Sequence, residues 1–340
     1  AQGADAKAEE DADTGDVNGD GWLDAVAACE KGHLIYFEAP TAGRTRDMGA
    51  WKKVILRETQ NRGSWIRVKL ADMDGDGRLD IVGANKGRTE FSYFRCEGET
   101  SDPAAWKETV IGRCKTPINI IPIDLDRDGD QDALAGSRGE KKLYYYENLG
   151  RGRTWRERVI HAGQPEATGF MIETADLNGD GRIDVVTQAE AGRLIWLEQP
   201  HDLTQPWRPH VIGTILPDHA TGIALVDFND DGRLDVFTGG YSDDPRTNEP
   251  EKISPEDVCG RLAWFEQPSD PSTPWKRHDV SRRRRGLFDA FIPLDVNRDG
   301  LTDLVGTRGN SGEYDGVFWL EQVRTPQPAP AFKPARRKDS

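Results

Sequence analysis

The sequence predicts an all-β protein, a β-propeller of four-stranded blades, and three observations carry that prediction. An Asp-rich nonapeptide recurs six times, an alternating aromatic segment recurs in phase with it, and no long segment of helical period is present. Blades of this kind deal with exposed sheet edges by radial repetition.

The nonapeptide reads Asp-x-Asp/Asn-x-Asp-Gly-x-x-Asp and begins at Asp16, Asp72, Asp124, Asp176, Asp227 and Asp295, with spacings of 56, 52, 52, 51 and 68 residues. An insertion around Tyr241 to Cys259 lengthens the last spacing. Each copy runs into a short apolar β-prone segment (AVAA, IVGA, ALAG, VVTQ, VFTG, LVGT). An alternating aromatic strand follows (LIYFE, FSYFR, LYYYE, LIWLE, LAWFE, VFWLE). Next comes Trp-x-x-x-Val/Ile or a close variant at Trp51, Trp106, Trp155, Trp207 and Trp275. A fourth apolar stretch, such as WIRVKLAD or GIALVD, leads into the next acidic loop. Four short strands per repeat make one blade.

Six loops and six aromatic strands favour six blades, with seven as the alternative. The ends are untidy: blade one lacks its innermost strand before Asp16, and nothing resembling the Trp strand follows Glu321. The expected organisation is a flexible acidic segment at 1–12, the propeller at 13–322, and a disordered Pro/Lys/Arg-rich tail at 323–340. Ala1 to Glu10 suits either a processed N terminus or the edge of a longer chain.

The formal charge is −14, but much of the acid lies in the six loops, where six divalent cations would offset 12 of those charges. An acidic balance argues against nucleic acid as a partner. No apolar run approaches the roughly 20 residues that span a bilayer. Cys29, Cys96, Cys114 and Cys259 form no CxxC pair, so a zinc site is not indicated; bridged and free thiols both remain open. Nucleophile elbow, phosphate loop and HExxH motifs are absent.

Ca²⁺ is a hard cation that takes six to eight oxygens, and carboxylates at positions 1, 3, 5 and 9 of a tight loop suit it. Glycine at position 6 (Gly21, Gly77, Gly129, Gly181, Gly232, Gly300) permits the sharp backbone there. An EF-hand would need Glu at position 12, where these loops have Ala27, Gly83, Ala135, Thr187, Thr238 and Gly306. The competing reading, plain Asx turns between strands, explains one copy better than six in phase.

With these loops the chain resembles the FG-GAP/VCBS repeat family, whose fold is that of the integrin α-subunit N-terminal propeller, over about residues 16 to 322. The resemblance implies one calcium ion, up to six in all and structural in role, in the loop between the first and second strands of each blade. Carried over, the ligands are Asp16, Asn18, Asp20 and Asp24; Asp72, Asp74, Asp76 and Asp80; and Asp124, Asp126, Asp128 and Asp132. In the later loops they are Asp176, Asn178, Asp180 and Asp184; Asp227, Asn229, Asp231 and Asp235; and Asp295, Asn297, Asp299 and Asp303. Arg95 departs from the Glu that ends the other aromatic strands, and Asp130 adds a carboxylate to loop three. Weak loops of this sort fill where calcium is millimolar, so a secreted, periplasmic or cell-surface location is expected.

Chain geometry puts the acidic loops on one rim and the remaining connections on the other, where a ligand is expected. That second rim collects Arg62, Trp65, Lys86, Arg88, Lys115, Arg138, His161, Tyr314 and the run Arg282 to Arg285. Cations and aromatic faces suit an anionic or sugar-like ligand. The leading expectation is an extracellular binding or adhesion module for a glycan or protein. The alternative is a carbohydrate lyase or dehydratase, with His219, Tyr241 and Arg308 as catalytic candidates for proton abstraction and enolate stabilisation. A scaffold within a longer polypeptide is the third reading.

Overall fold

The computed structural model describes residues 9–41, 43–216, 218–241, 261–282, 287–309 and 316–325, with the backbone alone at 9, 261, 281 and 282. Among them run 23 strands and two three-residue 3-10 helices, Met48–Ala50 and Arg57–Thr59. None of these helices is long and apolar enough to cross a membrane. The fold is an all-β propeller of six blades, each an antiparallel sheet whose strands follow in chain order.

The chain divides into two compact units, residues 1–163 with 168–170 and residues 164–167 with 171–340. In the first unit, blade one comprises β1 (Glu9–Gly15), β2 (Asp24–Cys29), β3 (Leu34–Glu38) and β4 (Lys52–Ile55). Blade two comprises β5 (Trp65–Ala71), β6 (Asp80–Asn85), β7 (Glu90–Cys96) and β8 (Trp106–Arg113). Blade three comprises β9 (Pro117–Ile123), β10 (Asp132–Ser137), β11 (Lys142–Asn148) and β12 (Trp155–His161).

The remaining blades follow the same plan. Blade four comprises β13 (Ala167–Ala175), β14 (Asp184–Ala189), β15 (Arg193–Glu198) and β16 (Arg208–Thr214). Blade five comprises β17 (His219–Val226), β18 (Asp235–Tyr241), β19 (Arg261–Glu266) and β20 (Lys276–Arg282). Blade six has β21 (Phe291–Leu294), β22 (Asp303–Arg308) and β23 (Gly316–Leu320), three strands among the described residues.

The innermost strand of blade one corrects the sequence expectation. EEDADTG forms β1, beginning at Glu9, inside the segment expected to be a flexible lead. Its acids replace apolar packing with polar ties: Asp11 Oδ2 accepts from Val68 N and Asp13 Oδ2 from Leu70 N, both at 3.0 Å, and Arg67 pairs with Asp11 at 3.3 Å. β1 pairs with β2, and its acids reach donors 57 residues away that local composition does not reveal.

Between blades the aromatic strands supply the core. Val26, Leu34, Tyr36, Trp65, Ile81, Phe94 and Trp106 form one buried cluster, and Val82, Phe91, Tyr93, Ile120, Tyr144 and Tyr146 form another. In the second unit Phe237, Leu262, Phe288, Phe291 and Leu304 pack together. Full burial of each such side chain is worth about 1.5–3 kcal/mol. The Glu that ends these strands pairs across to the fourth strand: Glu147 with Arg156 and Arg158, Glu198 with His210, Glu266 with His278. At Arg95 the pairing shifts to Glu97. Cys29, Cys96 and Cys114 are buried and form no disulfide among the described residues, and Cys259 lies outside them.

Candidate functional site

Each acidic loop joins the first and second strands of its blade, as expected. Position 1 gathers the loop's own backbone donors: Asp16 Oδ1 accepts from Gly19 N at 2.8 Å and Asp20 N at 3.0 Å, and Oδ2 from Gly21 N at 2.9 Å. Asp72 and Asp176 repeat the pattern. Position 3 turns the chain again, Asn18 Oδ1 accepting from Asp20 N at 3.0 Å. Position 6 glycines have φ between 82° and 96°, the left-handed region where a side chain is strained. Position 4 is left-handed too, and Arg127, Asp230 and Arg298 stand there at φ 65°, 56° and 64°. The sequence reading marked only position 6.

Position 9 plays a second role that the motif did not announce. Asp24, Asp132, Asp184, Asp235 and Asp303 are 0% exposed and Asp80 2%, although all open a strand beside a solvated loop. Asp184 Oδ2 accepts from Leu177 N at 3.1 Å and Oδ1 from Gln199 N at 2.9 Å. Asp235 does the same with Phe228 N and Gln267 N, and Tyr36 and Tyr145 add hydroxyl donors to Asp24 and Asp132. This carboxylate therefore ties the loop's entry to the exit of the aromatic strand, whatever else it binds.

Burial and neighbouring acids raise several of these carboxyls. Asp80 is pushed up to about 8, by burial first and then by Asp74, Asp76 and Asp72. Burial raises Asp132, Asp184 and Asp235 to about 6, and burial with Asp128 and Asp132 does the same to Asp130. Arg78, at position 7 of loop two, lowers Asp76 by a direct hydrogen bond. Arg182 and Arg233 make the same contact with Asp180 and Asp231. Loop three has Asp130 in that place and so lacks this cation.

The donor set fits a hard divalent cation. Carboxylate oxygens of Asp72, Asp74 and Asp80 lie within 4.8 Å of one another, as do those of Asp124, Asp126 and Asp128. Asp124 Oδ1 is buried and meets no hydrogen-bond donor. A buried carboxylate oxygen without a donor is costly unless a cation meets it.

The opposite rim differs from the expectation. Trp65 is fully buried, its ring against Phe94 at 5.5 Å between centroids, so it packs the core and offers no platform to a ligand. His161 is 5% exposed and closes the β11–β12 pairing opposite Leu143. Arg62 donates to Glu108 and to Glu58 O, both at 2.6 Å, and Lys86 is paired with Glu30. These cations are largely neutralised by carboxylates distant in sequence, a pairing invisible when the basic residues are read alone. Lys115 and Arg138 are exposed. Tyr314 and Arg283 to Arg285 lie outside the described residues, as does the side chain of Arg282.

In the second unit His219 and Tyr241 are direct partners across β17 and β18, with buried Asp218 preceding the pair. Arg308 ends β22 in the next blade and stands over the Phe288 ring at 5.7 Å. Sequence reasoning missed Glu90, Glu108 and Arg113, because each acts only through a partner brought by the fold.

A profile of the FG-GAP-like repeat matches residues 16–83, 124–187 and 176–238. No curated protein matches the chain in sequence. Among solved structures the chain is similar to a lectin from Agrocybe aegerita, described for specific recognition of non-reducing terminal N-acetylglucosamine. The two share 16% identity over 93% of this chain and 81% of that one, with a TM-score of 0.53. It is also similar to AofleA from Arthrobotrys oligospora, at 12% identity over 92% of this chain and 82% of the other, TM-score 0.48.

Proposed function

The chain belongs to the FG-GAP-like repeat family, and from that premise we propose that it is a calcium-loaded binding module that recognises a carbohydrate on the rim opposite its acidic loops. The observation that carries the calcium half is the convergence of three carboxylates within 4.8 Å in loops two and three, one with a buried oxygen that no donor meets. A divalent cation there removes the mutual repulsion of the acids and braces the turn between first and second strands. Positions 1, 3, 5 and 9 hold it, with structural effect. Binding to the native state alone stabilises with the logarithm of ligand excess over Kd. Extracellular calcium modules work at about 10⁻⁴–10⁻³ M, which favours a location outside the cytoplasm.

Support for carbohydrate comes from the fold shared with the Agrocybe aegerita lectin, together with the exposed Lys115 and Arg138 of the first unit. The test has two arms. Calorimetry with Ca²⁺ should show uptake and a raised unfolding midpoint that EGTA reverses; no heat and no shift would remove the calcium reading. A glycan array at millimolar Ca²⁺ should yield a defined set of saccharides, and a blank array would remove the carbohydrate reading.

One observation favours a second reading, β-elimination on a carbohydrate: the adjacency of His219 and Tyr241, a base and acid pair in type. Unsaturated product absorbance from uronate polymers, lost in Tyr241→Phe, supports it. Absence of product across a broad polymer panel removes it.

A further inference from the structure

Three arginines of blade two converge on one buried carboxylate. Glu90, the first residue of β7, has a side chain 2% exposed. Its Oε1 accepts from Arg88 Nε at 2.9 Å and its Oε2 from Arg113 Nη2 at 3.1 Å. Arg62 Nη2 stands 3.7 Å from the same Oε1, while its Nη1 is engaged by Glu58 O and Glu108 Oε2. The fold dictates this meeting. Glu90 and Arg113 are register partners across β7 and β8, and Arg88 sits in the β6–β7 turn with its N–H on Asn85 Oδ1 at 3.1 Å.

A single buried carboxylate needs one cation to balance it, and this one has three around it. Glu108 offsets Arg62, Glu90 offsets one more, and one positive charge is left over. Arg88 and Arg113 remain 45% and 64% exposed. Each guanidinium has five N–H donors, and the contacts with Glu90 engage one donor on each. Glu90 thus orients two guanidinium groups in advance, and the arginines around it offset its charge.

We propose that Arg88 and Arg113, held by Glu90, form a site for an oxyanion carried on a saccharide, either a uronate carboxylate or a sulfate ester. The proposal deepens the carbohydrate reading and rests on it. Guanidinium donors in a fixed fork match two oxygens of such a group, which an ammonium point charge does not.

The test is calorimetric titration with oligogalacturonate, sulfated dextran oligomers and neutral dextran oligomers of equal length. The wild type should bind one anionic oligomer about tenfold or more tightly than the neutral one. Arg88→Lys and Arg113→Lys keep the charge and lose the fork, and each should weaken that binding about fivefold or more. The Arg88→Ala/Arg113→Ala protein should lose it. If that double variant does not fold, the lysine variants decide, because they leave Glu90 paired. Preference for galacturonate or for sulfate identifies the anion. No binding of either anionic oligomer overturns the site, as do lysine variants that bind like wild type. Glycan binding indifferent to charge and to both arginines overturns it too, while leaving the broader carbohydrate reading intact.

Discussion

Gln267 offers a direct measure of how far one blade depends on the acidic loop of another. Its side chain is 3% exposed, and Nε2 donates to Leu177 O, at position 2 of loop four, at 2.6 Å. Truncation to alanine leaves the carbonyl of buried Leu177 without its donor, which costs about 1–3 kcal/mol. Loss of the Cγ methylene adds about 0.8 kcal/mol. Gln267→Ala should therefore destabilise by about 2–4 kcal/mol. For a unit of this size that lowers the unfolding midpoint by about 4–16 °C. Gln267→Glu preserves the shape but sets a carboxylate oxygen against the carbonyl, so at pH 7 it should be the worse variant. Scanning calorimetry of wild type and both variants is the assay. A shift below about a degree for alanine, or a glutamate variant milder than alanine, would refute the clamp. The same device recurs at Asn148, whose Nδ2 reaches Met73 O at 3.0 Å, and at Gln322, whose Nε2 reaches Phe228 O at 2.8 Å.

Three further outcomes are expected. With calcium chelated, stability should fall as pH rises from about 4 to 8, because Asp80 (about 8) and Asp132, Asp184 and Asp235 (about 6) hold protons in the folded state that the unfolded chain has already released. Saturating Ca²⁺ should remove most of that slope, and urea midpoints rising over this window in EGTA would contradict the sign. Trp65→Ala should cost about 3–5 kcal/mol by urea denaturation, whereas Lys115→Ala and Arg138→Ala should stay within about 0.5 kcal/mol; equal effects would return Trp65 to the surface. Gly112→Ala sets a Cβ 2.3 Å from the Tyr146 ring and should cost about 1–3 kcal/mol or more, and an unchanged midpoint would mean that the ring yields freely.

The blade plan was readable because its signals are local. Asp-Gly loops demand left-handed backbone within nine residues, aromatic alternation marks a strand, and repetition in phase orders the strands. Even Glu147, Glu198 and Glu266 sit where the motif set them, although their partners on the fourth strands emerged only with the register. β1 was missed for the opposite reason: EEDADTG has no large apolar residue, and its ties are the ladder with β2 and two acids accepting from N–H groups of β5.

The amino-acid sequence by itself determined the repeat, the strand order within each blade, and loops whose oxygen-rich positions suit a hard cation. These follow from contacts between residues near in the chain, which composition and spacing record. Tertiary structure decided what individual side chains do: Trp65 fills a core, Asp at position 9 braces a strand, Arg62 is neutralised by Glu108, and Glu90 gathers arginines from both sides of β7. Burial and charge pairing are set by neighbours far away in sequence. A residue's type tells what it can donate or accept, and only the fold tells what stands opposite it.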